Sequence, residues 1–211
     1  MILCDIGNSK YHFLIDDKNI EFNIEDTLPI LKDTIYYISV NEKATIKLNS
    51  FYKKTVDISK YVKLKTFYKG LGIDRKVACI YSKNSIIIDC GSAITIDIVK
   101  DGNHKGGYIL PGINAYKLAY KSISNKLDHN INIKINLDKI PLNTKNAIES
   151  SIVYSILNII KKIQSKDYEI IFTGGYGDIL SSYIQNSHYK KNLILNNMKD
   201  IIYANNCFTK R

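Results

Sequence analysis

Residues 2–9 read ILCDIGNS and residues 86–95 read IIIDCGSAIT. Each is an apolar run that ends in Asp, one further residue, Gly and a small polar residue. With the order of strands and helices along the chain, the repeated acidic turn points to two α/β halves, each opening with a strand that ends in Asp-x-Gly. The second half begins near Ser82, with no linker rich in Pro, Gly or Ser at the joint.

Apolar patterning fills in the halves. In the first, residues 2–6 read as a strand and residues 11–15 as its hairpin partner after Gly7-Asn8. A short helix is expected before a β-branched, aromatic strand at 34–40. Residues 41–54 fit either type of element. The apolar and basic alternation of 62–67 predicts a strand, and 75–81 a helix closing the half. In the second half, IIID, TIDIVK and GGYIL predict a three-stranded meander with a turn at Asp101-Gly102. A helix is expected over 114–127, with Ala115, Leu118, Ala119 and Ile123 as its apolar stripe. Another spans 147–163, striped by Ile148, Ile152, Ile156, Ile159, Ile160 and Ile163 and capped by Asn143 or Thr144. A strand at 168–172 ends in Thr173-Gly174-Gly175, and 178–184 reads as helix. The expected organisation is two lobes, 1–81 and 82–211, packed around a cleft.

Two ordinary turns would explain the acidic motif, since Asp-x-Gly serves any tight turn. The paired reading is a phosphate clamp. Glycine after a strand admits phosphate close to backbone N–H groups. Asn8, Ser9 and Ser92 offer donors to phosphate oxygens, and the aspartates then require an intervening cation. Sequence motifs exclude the common alternatives: there is no Walker loop, GxGxxG, HExxH or GxSxG. Thr173-Gly174-Gly175 is either a plain strand-to-helix turn or a backbone that passes close to an adenine. Gly106 to Gly112 is either a bland loop or a close backbone approach. In Gly72-Ile73-Asp74-Arg75, the Asp-Arg pair is either a solvated surface pair or a proton acceptor beside an anion clamp.

The formal charge of +10 admits an anionic partner. The lysines run along the whole chain, though, and the densest stretch, Lys53 to Lys76, carries no nucleic-acid motif, which argues against nucleic acid. Cys4, Cys79, Cys90 and Cys207 form no CxxC pair and read as reduced core residues. The N-terminal apolar run is interrupted by Asp5, and no segment reaches the length of a bilayer span. The expectation is a soluble, cytoplasmic protein.

Together, DIGNS at 5–9, GIDR at 72–75, DCGSAITID at 89–97, GGYILPG at 106–112, NTKNAI at 143–148 and TGG at 173–175 resemble the type III pantothenate kinases, in the family's order and across most of the chain. The resemblance implies membership of the acetate and sugar kinase, Hsp70 and actin superfamily: an α/β fold of two ribonuclease-H-like (actin-like ATPase) lobes around a nucleotide cleft. It implies phosphorylation of the pantothenate 4′-hydroxyl by ATP, the first committed step towards coenzyme A. Asp5, Ile6, Gly7, Asn8, Ser9, Lys10, Tyr11 and His12 resemble the family's first ATP loop. Ser92 falls on another ATP contact, and Gly174 and Gly175 belong with the nucleotide. Gly72, Ile73, Asp74 and Arg75 resemble the pantothenate segment, with Asp74 as catalytic proton acceptor, and Thr144 falls on a pantothenate contact. Asp89 falls where the family binds potassium or ammonium, and magnesium accompanies ATP. A homodimer is implied. Ser9 and Ser92 replace threonines and keep the hydroxyl. Lys65 stands where the family has a tyrosine, and Tyr68 is the candidate replacement.

Two other readings share these residues. One is a different small-molecule kinase of the superfamily, such as a sugar or acetate kinase, against which GIDR and NTKNAI argue. The other is a basic regulatory protein that kept the fold without catalysis, against which Asp5, Asp74 and Asp89 argue. An actin-like filament protein would be larger than 211 residues.

Overall fold

In a computed structural model, which describes residues 1–205, Ile2–Ile6 forms β1 at the centre of a five-stranded sheet. β1 pairs antiparallel with β2 (Lys10–Ile15), and β2 with β3 (Lys18–Asn23). On its other side β1 runs parallel to β4 (Ile35–Ser39), which runs parallel to β5 (Thr55–Asp57). The β2–β3 hairpin turns through Asp16 and Asp17, both left-handed at φ 47° and 62°. Asp tolerates this backbone and it matches the twist of a two-residue hairpin. β3 occupies part of the stretch where a short helix was expected.

α1 (Glu42–Phe51) connects β4 to β5, and α2 (Ile73–Cys79) follows the sheet in the chain. Asn41 settles the ambiguous stretch as helix: its side chain accepts from the Ala44 N–H as an N-cap. α1 buries Ala44 and Leu48 against Ile2, Cys4, Ile6 and Phe13. The predicted strand at 62–67 does not form; the fifth strand is instead Thr55–Asp57. The apolar and basic alternation at 62–67 fits extended backbone, but a strand also needs a neighbouring ladder.

A second sheet repeats the first. β6 (Ser85–Cys90), β7 (Ala93–Lys100) and β8 (Asn103–Pro111) form the meander. β6 runs parallel to β9 (Glu169–Thr173), which runs parallel to β10 (Ser187–Tyr189). Counted within each sheet, the spatial order is 3-2-1-4-5 in both, with the same strand directions. α3 (Ile113–Ile123), α4 (Thr144–Ile163) and α5 (Gly177–Ser181) accompany it. α4 starts at the Asn143 cap, whose side chain accepts from Asn146 N–H, and buries Ile148, Ile152, Ile156 and Ile160. Ile159 and Ile163 pack at the margin of that core. α3 departs from its expected pattern, because Leu118 and Ile123 are exposed.

The chain divides into Met1–Ser82 joined by the segment from Asn192, and Lys83–Lys191. α6 (Leu193–Ala204) packs on β1 and α2 of the first unit. Its buried Asn197 donates to the Val77 carbonyl at 2.7 Å and more weakly to Ala78 at 3.4 Å. Cys4, Cys79 and Cys90 are buried free thiols, whereas Cys207 lies outside the described residues. No helix among the described residues is long and apolar enough to cross a membrane.

Candidate active site

Asp5 is the penultimate residue of β1 and Asp89 the penultimate residue of β6. Each therefore sits at the carboxyl end of the central strand of its sheet, the end at which α/β sheets present ligand-binding loops. Both are half-buried and each is followed by a tight hairpin turn. The glycines close these turns with their own amides: Gly7 N–H donates to Lys10 O at 2.9 Å, and Gly91 N–H to Ala93 O at 3.1 Å. Those two amides are thus used internally, and the phosphate donors expected of the turns must come from elsewhere. A β-carbon would meet only Lys10 O at 3.5 Å at Gly7, and Ala93 O at 3.7 Å at Gly91. Neither glycine has a left-handed φ. The protein's own packing does not demand glycine at either place, which leaves room for a ligand as the reason.

The first turn exposes Asn8 and Ser9. It is tied down from two sides: Ile24 N–H donates to Ser9 O, and Asn41 Nδ2 donates to Asn8 O at 3.2 Å. Asn41 thus caps α1 and steadies the acidic turn together. Sequence reading missed that second role, although an Asn directly before a helix was a visible signal. Beyond the turn the expected ATP residues separate by strand alternation. Ile6 and Tyr11 are fully buried, and the Tyr11 hydroxyl donates to Ala44 O at 2.9 Å. Their side chains belong to the core, so these two residues offer a ligand only their backbone. Lys10 and His12 point to the opposite face, where both meet Glu21 of β3. Lys10 Nζ lies 2.7 Å from Glu21 Oε2, and His12 Nδ1 lies 3.5 Å from Oε1. Partial burial is the main influence on His12 and pulls its pKa down; Glu21 opposes it. The Lys10 bond is the main reason the Glu21 carboxyl is held down.

Asp89 is flanked in register by Thr95 on β7 and Thr173 on β9. Residues paired across strands share a face, so a carboxylate sits between two hydroxyl side chains. This donor set is all oxygen, which suits a hard cation and not a thiolate-seeking metal. The Cys90 thiol beside it is pushed well up, first by burial and then by Asp89; the Cys4 thiol next to Asp5 behaves alike. Ser92 is exposed at the apex of the turn. Asp97, which ends the quoted motif, is not at the turn. It is buried and bonded to His104 Nε2 at 2.8 Å, beside the β7–β8 bulge at Ile98/Val99.

The two candidate nucleotide glycines differ. Gly174 has φ 80°, and a β-carbon there would lie 2.6 Å from Asp89 Oδ1 and 2.7 Å from Cys90 N. Its close approach is to Asp89 of its own unit, a contact that only the tertiary fold reveals. Gly175 is exposed, with nothing within 4 Å of a β-carbon, and remains open to a ligand. Gly106, at φ 137° beside the bulge, likewise has open space around it; the close approach in that motif belongs to Gly112.

Gly72 to Arg75 opens α2. Gly72 is the N-cap, and Asp74 lies in the first turn, where the helix dipole favours negative charge. Asp74 Oδ1 accepts from Arg75 N–H at 2.7 Å. Ile73 begins the helix, half-buried. The Arg75 side chain is buried and lies over the Tyr68 ring, 4.9 Å from its centroid. Tyr68 thus joins the GIDR segment physically, from a stretch without regular structure. Thr144 is the exposed first residue of α4. Each unit thus supplies its own parts: the first a held carboxylate, a buried guanidinium against an aromatic ring and an acidic strand end, the second an acidic strand end flanked by two threonines.

The family model of type III pantothenate kinases matches residues 1–166. A Campylobacter hominis protein named type III pantothenate kinase is 43% identical over 206 residues, spanning 96% of this chain and 98% of its own length. A solved Campylobacter jejuni structure, described provisionally as a Baf family transcriptional activator, is 40% identical with a TM-score of 0.87, covering 97% of this chain and 98% of that one. A Sinorhizobium meliloti structure, described provisionally as a 2-dehydro-3-deoxygalactonokinase, is 8% identical with a TM-score of 0.51 over 98% of this chain and 99% of that one. At that identity the likeness concerns the fold alone, and it is a sugar-kinase-type fold.

Proposed function

Because the chain belongs to the type III pantothenate kinase family, we propose that it transfers the γ-phosphoryl group of ATP to the 4′-hydroxyl of pantothenate, opening the route to coenzyme A. The observation that carries this reading is the Asp74 carboxylate, held in the first turn of α2 by Arg75 N–H and leaning over Gly72.

Phosphoryl transfer calls for alignment and charge neutralisation more than covalent help. Asp74 orients the 4′-hydroxyl and accepts its proton as the new P–O bond forms and the bond to the ADP oxygen breaks. Arg75 and Tyr68 hold the carboxylate end of pantothenate, and Thr144 adds a hydroxyl contact. The Asp5 turn, with Asn8, Ser9, Lys10 and His12, and the Asp89 turn, with Ser92, bind phosphate; Gly175 receives the base. Asp89, Thr95 and Thr173 suit potassium or ammonium, which would offset phosphate charge. Magnesium enters with ATP, in keeping with its preference for one or two carboxylates plus substrate phosphates. The reading extends to work in the cytoplasm and to a homodimer, for which the exposed Leu118 and Ile123 of α3 offer an apolar face.

Incubation with ATP and pantothenate, with and without potassium, tests this directly. The expected product is 4′-phosphopantothenate; absence of product under both conditions refutes the reading. The Campylobacter jejuni structure's description favours a second reading, a transcriptional regulator on the same fold. A DNA gel shift at physiological salt separates the two.

A further inference from the structure

We propose that Gly112 is a positioning residue for phosphoryl transfer: it seats the Asp89 turn against the start of α3. The inference rests on the reading that this turn binds phosphate and a monovalent cation.

Gly112 is the N-cap of α3, with φ −68° and ψ 166°. That backbone suits any residue, so conformation does not explain the glycine. Nor does capping, since Ser, Thr, Asn or Asp would cap the helix at least as well as glycine and Gly112 contributes no side-chain bond. Space does explain it. A β-carbon at Gly112 would overlap Ser92 O, lie 2.5 Å from Gly91 O and 2.8 Å from the Ser92 carbonyl carbon. These are backbone atoms of the turn itself and cannot swing aside as a flexible side chain would. The Gly112 N–H also donates to Ser92 O at 3.2 Å.

Gly174 makes the matching contact on Asp89 and Cys90. The stretch from Asp89 to Ser92 is thus seated between two glycines, one at the end of β9 and one at the start of α3. Asp89 carries the cation-binding carboxylate and Ser92 the phosphate-facing hydroxyl. Gly112 contacts the backbone of Gly91 and Ser92, and so fixes where the Ser92 end of the turn lies. A β-carbon there forces that end to move, and misplacements of about 1 Å cost on the order of 10²-fold in well-aligned sites.

The test is Gly112→Ala, followed by separate kinetic constants for each substrate. The KM for ATP and the half-activating potassium concentration are expected to rise about tenfold or more, with the KM for pantothenate within twofold of wild type. General loosening of the second unit would not give this selectivity. A folded variant with wild-type ATP and potassium constants overturns the proposal. Should the variant fail to fold, amide hydrogen exchange on the wild-type protein decides. A non-hydrolysable ATP analogue with potassium is expected to slow exchange at Gly112 together with Gly91 to Ala93. Slowing confined to the turn, with Gly112 unchanged, overturns the seat. That arm needs no pantothenate, so a wild-type protein that fails to phosphorylate pantothenate refutes the proposed function and leaves the seat to be judged separately.

Discussion

A β-carbon on Gly72 would lie 2.5 Å from Oδ1 of Asp74. The carboxylate therefore folds back over the residue that caps its own helix, and only glycine leaves it that position. Gly72→Ala is expected to turn the carboxylate away and lower kcat by on the order of 10²-fold, with far smaller change in nucleotide binding. Asp74→Asn removes the proton acceptor outright and is expected to cost about 10²–10⁴-fold in turnover while ATP still binds. Steady-state kinetics beside nucleotide titration reads both, and an Asp74→Asn enzyme that turns over normally excludes Asp74 as the base.

Asp89→Ala is expected to abolish activation by potassium or ammonium. Thr173→Val keeps the shape of its buried neighbour and is expected to weaken activation without abolishing it. Activity measured across a potassium titration, at constant ionic strength, checks both. Undiminished activation of the Asp89 variant excludes the assignment.

Asn197 ties α6 to the carbonyls that end α2. Asn197→Leu leaves buried acceptors unpaired and is expected to destabilise the protein by about 1–3 kcal/mol. Hydrogen exchange should rise at Val77 and Ala78 before it rises in β6 to β9. A melting temperature and exchange pattern unchanged from wild type would remove this tie from the account.

His12 and Glu21 give stability a pH dependence of known sign. Burial depresses the His12 pKa in the folded state. The unfolded chain therefore takes up the proton first, and the contribution present above about 6.5 is lost as the pH falls below it. Glu21 is also depressed, chiefly by Lys10. Its contribution persists above about 4.3 and disappears only at lower pH. His12→Gln is expected to flatten the melting temperature between pH 7 and 5 while leaving most of the decline at lower pH, which Lys10 chiefly sets through Glu21, in place. An unchanged slope in the upper window excludes His12 as its source.

Much of this was legible in local sequence. The Asp5 and Asp89 turns, the Asn143 cap and the isoleucine stripe of α4 each reflect a short-range rule that the fold obeys. Residues 62–67 misled because alternation reports a backbone's shape and not whether a partner strand exists. β3 was hidden because its alternation is brief: of its two apolar residues only Phe22 packs on the core, against Phe13, while Ile20 is exposed. Tyr11 looked like part of a binding loop because adjacent strand residues point in opposite directions, and a motif does not say which face is wet. Gly174 and Gly112 were ambiguous for a different reason: the atoms that exclude a β-carbon there belong to Asp89, Cys90, Gly91 and Ser92, remote in sequence.

The return of α6 to the first unit has a consequence for biosynthesis. Lys83–Lys191 is uninterrupted, whereas the first unit needs residues on both sides of it. On a ribosome the later unit has all its residues available while the earlier one still waits for the helix that covers β1. Domains tend to fold as units as they emerge, so the unit begun first is the one completed last, and Asn197 is among the last residues to find its partners.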